Sequence, residues 1–372
     1  MTFRENIDAI LHYRPYERMP VVSFGFWNET VTKWANEGHI SPEDAEDYIK
    51  NGDNSEGDRH IMEKLGFDFN WNSCLGSNVL LFPPFEKTVL ETCPDGSRII
   101  RDPDGLICRE KPGIVSIPSE IGTTLTDRHA WETEYLPRLQ MCRERVPLEA
   151  AARLPAPEER ELPVGLHLGS LMGHMRNLLG VEALSYLYAD DEELYAEIVD
   201  TLCGLCYDCA AVLLESGARF DYAHYWEDIC FKNGPLVSPR VFAELVGPWY
   251  RKISELVHRY GIDIISVDCD GWIDALIPIW LENGVNTMFP IEVGTWQASI
   301  APWREKYGRE LRGVGGMNKT VFAKDRAAVL AEVERLRPLV ALGGYIPCPD
   351  HRIAPDADFD LVRLYCEKMH QL

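Results

Sequence analysis

The sequence predicts an α/β fold, a (β/α)8 TIM barrel with a β-hairpin insertion. Three observations predict it. About eight short apolar runs are spread along 372 residues, and from about residue 160 onward they alternate with long amphipathic segments. Residues 86–113 break that rhythm with alternating side chains and two Asp-Gly pairs. The length suits one large barrel, so residues 1–372 are read as a single domain.

Two strand-like runs come first, "MPVVSFGFW" (19–27) and "GFDFNWN" (66–72). The insertion follows, with turns at Asp95-Gly96 and Asp104-Gly105. Residues 142–162 are charged and proline-containing, which predicts surface structure. Six further runs complete the set, at 163–170, 220–226, 262–268, 285–293, 311–318 and 339–346. Between them lie helical patterns such as "SPRVFAELVGPWYRKISELVHRYG". There Ser238 stands at the cap, Pro239 at the first helical position, and Phe242, Leu245, Val246, Trp249, Ile253, Leu256 and Val257 on one face. A doubly wound open sheet is the competing architecture, and no Gly-x-Gly-x-x-Gly turn after the first strand supports it.

A net charge of -22, from 59 acidic against 37 basic residues, opposes binding to nucleic acid or an anionic membrane. The N-terminus lacks a signal-peptide pattern and no run approaches a membrane span, so a cytoplasmic protein with reduced thiols is expected. Cys203, Cys206 and Cys209 have the spacing of an iron–sulfur motif. They fall inside a helical pattern at i, i+3 and i+6, beside Ile198, Leu202 and Leu213, and are read as a core stripe. A homodimer is left open.

In a parallel barrel the active site is built at the C-terminal ends of the strands. The stretch "IDIISVDCDGWID" (262–274) ends a buried-strand pattern in Asp268 and Asp270, which alternation places on one side, with Cys269 on the other. Two carboxylates that close resist ionising together, which suits a proton donor or a metal. Other strand ends offer His224, Tyr225, Trp226, Glu227 and Asp228; Glu292; Asn318 and Lys319; and Cys348, Asp350 and His351. A capping role for Asp270 ahead of the next helix is the plainer alternative. Tyr345 and Trp226 suit a pocket wall or the core.

The segments "YERMPVVSFGFW", "GSRIIRDPDGLICRE", "GPLVSPRVFAELVGPWYRKI", "IDIISVDCDGWIDALIPIWLENGVNTMFPIEV", "GGMNK" and "GGYIPCPDH" give the chain, over nearly its full length, a resemblance to the uroporphyrinogen decarboxylase superfamily. The branch it resembles contains cobalamin-dependent methyltransferases. The resemblance implies the barrel fold. True decarboxylases of the family bind their polyanionic tetrapyrrole through an arginine-rich stretch after the first strand. Here that stretch is "SFGFWNETVTKWANEGH", without arginine, so that substrate is not expected.

Thiol-dependent methyltransferases of the family hold zinc with a His-x-Cys pair and a later cysteine. Those positions match Asp268, Asp270 and Cys348, so hard oxygen groups replace soft ones. The resemblance therefore implies a corrinoid-dependent transfer of methyl from a small methoxylated, aromatic compound to cob(I)alamin on a separate corrinoid protein, since no Asp-x-His-x-x-Gly cobalamin motif occurs in this chain. In this reading Asp268, Asp270, Glu227 and His351 are catalytic, and Asp268, Asp270, Glu227 and Cys348 are the ligands if zinc is used. Phe24, Phe26, Trp27, His224, Tyr225, Glu292 and Tyr345 line the substrate site. Two rivals stand beside it: a metal-independent decarboxylase or lyase of a small acid, with Asp268 as proton shuttle, and a non-catalytic ligand-binding member.

Overall fold

Seven of the eight apolar runs contain a strand in the computed structural model, which describes residues 1–111 and 119–372, and the eighth, 339–346, overlaps the start of one. In chain order the strands are β1 (Val22–Ser23), β2 (Phe69–Asn70), β3 (Cys74–Gly76), β4 (Thr88–Thr92), β5 (Arg98–Arg101), β6 (Leu106–Glu110), β7 (Ser119–Thr123), β8 (Gly165–His167) and β9 (Tyr222–Trp226). They continue with β10 (Cys230–Phe231), β11 (Gly234–Pro235), β12 (Ile265–Asp268), β13 (Thr287–Phe289), β14 (Arg312–Met317) and β15 (Tyr345–Pro349).

A seven-stranded parallel sheet runs in the order β15-β14-β13-β12-β9-β8-β3. β1 and β2 form a separate parallel pair, and only Trp71, Asn72 and Ser73 separate β2 from β3. The two ends of this arrangement meet just beyond β1 and β15: Phe26 bridges Ile353, Trp27 N–H donates to the Ile353 carbonyl (3.1 Å), and Ile353 N–H donates to the Gly25 carbonyl (3.0 Å). Parallel strands with helices between them, curled until their ends touch, give a barrel of the (β/α)8 kind.

Parallel strands covered on both faces must be apolar throughout, and β9, β12, β13 and β15 are buried almost residue for residue. Inside, Trp71 stacks on Tyr222 (4.5 Å between centroids) and lies 6.5 Å from Phe289. Each such fully buried aromatic contributes about 2–3 kcal/mol. Outside, helices Gly173–Asp190 and Glu192–Glu215 cover β8 and β9. Cys203, Cys206 and Cys209 are all buried on the second of these, and two of the thiols point at the Leu171 and Ser170 carbonyls (3.7 and 3.8 Å). They are core residues of a continuous helix.

The insertion is larger than a hairpin. Its two Asp-Gly turns join β4 to β5 and β5 to β6, with Gly96 and Gly105 at φ 79° and 90°, and a fourth antiparallel strand, β7, extends it to Thr123. Residues 112 and 113 of the expected hairpin lie outside the described residues. Three other details differ from the sequence reading. β3 has no apolar signature. The run at 339–346 begins as the end of helix Arg326–Val340, so β15 starts at Tyr345. The 238–261 pattern starts with Pro239 as expected, but Ser238 makes no side-chain cap bond, and a π turn, Phe242–Val246, lies within it. Among the described residues no helix is long and apolar enough to cross a membrane.

Candidate active site

A cavity of about 440 Å³ opens at the C-terminal ends of the strands. Phe24, Trp27 and Trp226 form aromatic walls, and Asp228, Asp268, Asp270, His167, His224 and His351 supply polar groups, with Asp53, Asn72 and Arg352 completing the lining. That size suits a small organic molecule.

β12 carries Asp268 to the cavity and the chain turns there, so Asp270 follows it into the same space while Cys269 enters the core. Asp268 is 7% exposed, and its carboxylate has no hydrogen-bond partner among the described residues. Burial, then the negative charges of Asp270 and Asp228, push its carboxyl well above the usual range. Asp270 does not cap a helix. One oxygen meets His351 Nε2 at 3.1 Å, and the other is buried without a partner among the described residues. The His351 ring lies parallel to Trp27 (5.5 Å, 17°) and 5.4 Å from Phe24. Asp228 has φ 51°, a conformation few non-glycine residues hold, and Arg176 secures it through its carbonyl (2.8 Å) and carboxylate (3.3 Å).

His224, in the middle of β9, and His167, at the end of β8, are register partners with ring centroids 6.0 Å apart. Burial lowers His167 to about 4 and His224 well below its usual value, so both rings are neutral at neutral pH. His224 Nδ1 bonds Ser266 Oγ (2.7 Å), and Gly169 N–H donates to His167 Nδ1 (3.0 Å).

Several expected site residues are placed elsewhere. Glu227 is fully buried beneath the cavity, not in its wall. Its oxygens accept from the Leu171, Met172 and Gly173 N–H groups (2.9, 2.9 and 3.0 Å), from Ser170 Oγ (2.9 Å) and from the Tyr250 hydroxyl. Burial raises its pKa while those donors oppose the rise. Its carboxylate anchors the N-terminus of helix Gly173–Asp190, where the helix dipole favours a negative charge. Gly173 is required there, because a Cβ would collide with the Glu227 carbonyl.

Phe26 packs among Trp34, Tyr48 and Phe67 rather than in the cavity. Tyr225 is fully buried against Tyr250, on the outer side of β9. Tyr345 is fully buried and donates to the Gly315 carbonyl (2.7 Å). Glu292 is spent on Gly271 N–H (2.6 Å) and Thr295 Oγ1 (2.9 Å), and holds the loop after Asp270 rather than lining the cavity. Strand alternation explains Tyr225 and Tyr345: each lies one residue out of phase with an inward-facing neighbour.

The ligand set expected for zinc does not fit. Glu227 has both oxygens engaged, and Cys348 is fully buried in an apolar cluster with Phe26, Met317 and Ile346. Among the described residues no three His, Cys, Asp or Glu side chains stand close enough to hold one ion. Asp268 and Asp270 remain as carboxylic groups with a histidine beside them.

The strand-end reasoning that named His224 applies equally to His167, the last residue of β8, which it passed over. Asp53 and Arg352 carried no local signal. Arg352 pairs with Asp53 and reaches the Tyr48 hydroxyl (3.2 Å), a constellation assembled from residues some 300 apart in sequence.

Comparison with known proteins agrees with this architecture. The uroporphyrinogen decarboxylase (URO-D) family model matches residues 128–372. A methyltransferase from Methanosarcina mazei has a similar structure, with a TM-score of 0.63 and 17% identity, covering 100% of this chain and 99% of that one. A putative vitamin-B12-independent methionine synthase from Listeria monocytogenes superposes more loosely, with a TM-score of 0.41 and 14% identity, over 96% of this chain and 98% of that one. No curated protein sequence matches. With two thirds of its length matched and the strand-end cavity in place, the chain belongs to the uroporphyrinogen decarboxylase family.

Proposed function

We propose that this protein is a methyltransferase that moves a methyl group from a small methoxylated aromatic compound to cob(I)alamin carried by a separate corrinoid protein. The observation that carries the reading is the state of Asp268: nearly buried, unbonded, beside two further carboxylates and facing an aromatic cavity.

Breaking an aryl ether bond expels a phenoxide, which leaves far more readily when a proton meets it. A carboxyl group held neutral at neutral pH can give that proton. The corrinoid carrier supplies the nucleophile that takes the methyl carbon. Burial first, and then Asp270 and Asp228 beside it, keep Asp268 protonated; Asp270 is fixed by His351, and His351 is kept in place by the ring of Trp27. Phe24, Trp27 and Trp226 exclude water and hold an aromatic ring. No step needs zinc.

The family match and the methyltransferase-like fold support a transferase. The anaerobic assay is direct: the purified protein, free cob(I)alamin and methoxylated aromatics are mixed, and methylcobalamin is followed by absorbance. Wild type forms it and Asp268→Asn forms it at least about a hundredfold more slowly. Release of carbon dioxide from small acids, with no methylcobalamin, would replace this reading with the lyase.

A further inference from the structure

We infer that the cavity selects an uncharged methoxyphenol, whose hydroxyl is held between His167 and His224, and rejects donors that carry a carboxylate. This rests on the methyl-transfer reading above and names its substrate class.

A backbone hydrogen bond assigns the tautomer of His167, and the contact with Ser266 is the basis for that of His224. Gly169 N–H donates to His167 Nδ1 (3.0 Å), so the neutral ring carries its proton on Nε2, which has no partner among the described residues and belongs to the cavity wall. Ser266 Oγ accepts from Trp71 Nε1 (3.3 Å), and its single hydrogen can go to the Ala223 carbonyl (3.2 Å) or to His224 Nδ1 (2.7 Å); with the hydrogen on the carbonyl side, as the inference requires, His224 Nδ1 is the second donor. His224 Nε2 is then an acceptor. The two rings, 6.0 Å apart, thus present one donor and one acceptor to the cavity. A phenol hydroxyl both accepts and donates and satisfies the two together. A carboxylate only accepts, and would face the His224 lone pair.

The space around His167 is close-fitting. A Cβ added to Gly76 would stand 2.7 Å from the His167 Cβ, so the ring is seated against bare backbone.

Charge acts in the same direction. The lining holds three carboxylates, Asp53, Asp228 and Asp270, beside the neutral carboxyl of Asp268, and one guanidinium, Arg352. Arg352 meets Asp53 with both terminal nitrogens, and Arg176 beside the rim is tied to Asp228. Lys319 lies outside the lining, near Asp350, Asp270 and Glu292. No cation facing the cavity is free of a carboxylate among the described residues, so an anionic substituent finds repulsion in a poorly screened site.

The test is equilibrium binding by calorimetry with three probes, 2-methoxyphenol, methoxybenzene and 3-methoxybenzoate, followed by the methylcobalamin assay. We expect 2-methoxyphenol to bind about tenfold or more tightly than either of the others, the gain of one well-placed hydrogen bond or the loss of one like-charge contact. His167→Leu abolishes the preference over methoxybenzene, and His167→Gln, which keeps an N–H donor, restores part of it. Asp228→Asn narrows the gap to 3-methoxybenzoate. Equal or tighter binding of 3-methoxybenzoate, an undiminished hydroxyl preference in His167→Leu, or no binding of any probe would overturn the inference. Selective binding of 2-methoxyphenol without methylcobalamin would uphold the selectivity and overturn the transfer reading alone.

Discussion

His351 Nε2 stands 3.1 Å from Asp270 Oδ2, and this imidazole is the only ionic partner of Asp270 among the described residues. The pair closes one side of the cavity against Trp27, and across it Asp268 has no hydrogen-bond partner among the described residues. One aspartate is positioned and its neighbour is left free to carry a proton.

Because the pair is about a quarter exposed, its direct contribution to stability is small. A double-mutant cycle of His351→Ala and Asp270→Asn should give a coupling of about 0.5–1 kcal/mol in unfolding free energy. The same cycle in methyl-transfer rate should show strong non-additivity, each single change costing nearly as much as both. Additive rate effects would separate the two residues functionally.

Asp268 makes stability depend on pH. Its folded-state pKa lies above its unfolded value, so the native state binds more protons and stability falls as pH rises from about 4 through the folded pKa. Asp268→Asn removes that penalty. Its melting temperature should match wild type near pH 4 and exceed it increasingly toward pH 8, which thermal scans across that range would show.

The neutral histidines act with the opposite sign. His167 has a folded pKa of about 4 against about 6.5 unfolded, so the unfolded chain binds the proton first and stability is lost as pH falls through that window. His224 reinforces the loss. His167→Gln should shift the acid-unfolding midpoint downward, with an effect on the order of 2–3 kcal/mol at pH 4. An unchanged midpoint would mean that the ring is protonated in the folded protein.

Glu227 should behave as an anchor. Glu227→Ala strands four donors at the start of helix Gly173–Asp190 and the Tyr250 hydroxyl, and should destabilise the protein by about 3 kcal/mol or more, measured by urea unfolding. A loss of turnover at unchanged stability would instead place its carboxylate in the chemistry.

The strands were legible because burial on both faces of a parallel sheet demands uninterrupted apolar runs, which β9, β12 and β13 display. β3 was not, since its three residues are only partly buried. The insertion announced itself through Asp-Gly turns, while β7, spelled Ser-Glu-Ile-Gly-Thr, has neither turn chemistry nor alternation to mark it. Within the site, the strand-end rule brought out Asp268, Asp270, His224 and His351. It could not tell an inward side chain from an outward one a residue away, as with Tyr225, nor foresee that helix Gly173–Asp190 needs an anion under its first turn, which is where Glu227 is used. Arg352 and Asp53 meet only through the closing of the barrel.

To give a proton to the leaving oxygen, Asp268 must be protonated in the folded protein at neutral pH. Difference infrared spectroscopy of wild type against Asp268→Asn tests it most directly. A carbonyl stretch of a protonated carboxyl group in wild type, absent from the variant, is the predicted result. A difference spectrum containing only carboxylate bands would contradict the account, for an ionised Asp268 has no proton to give.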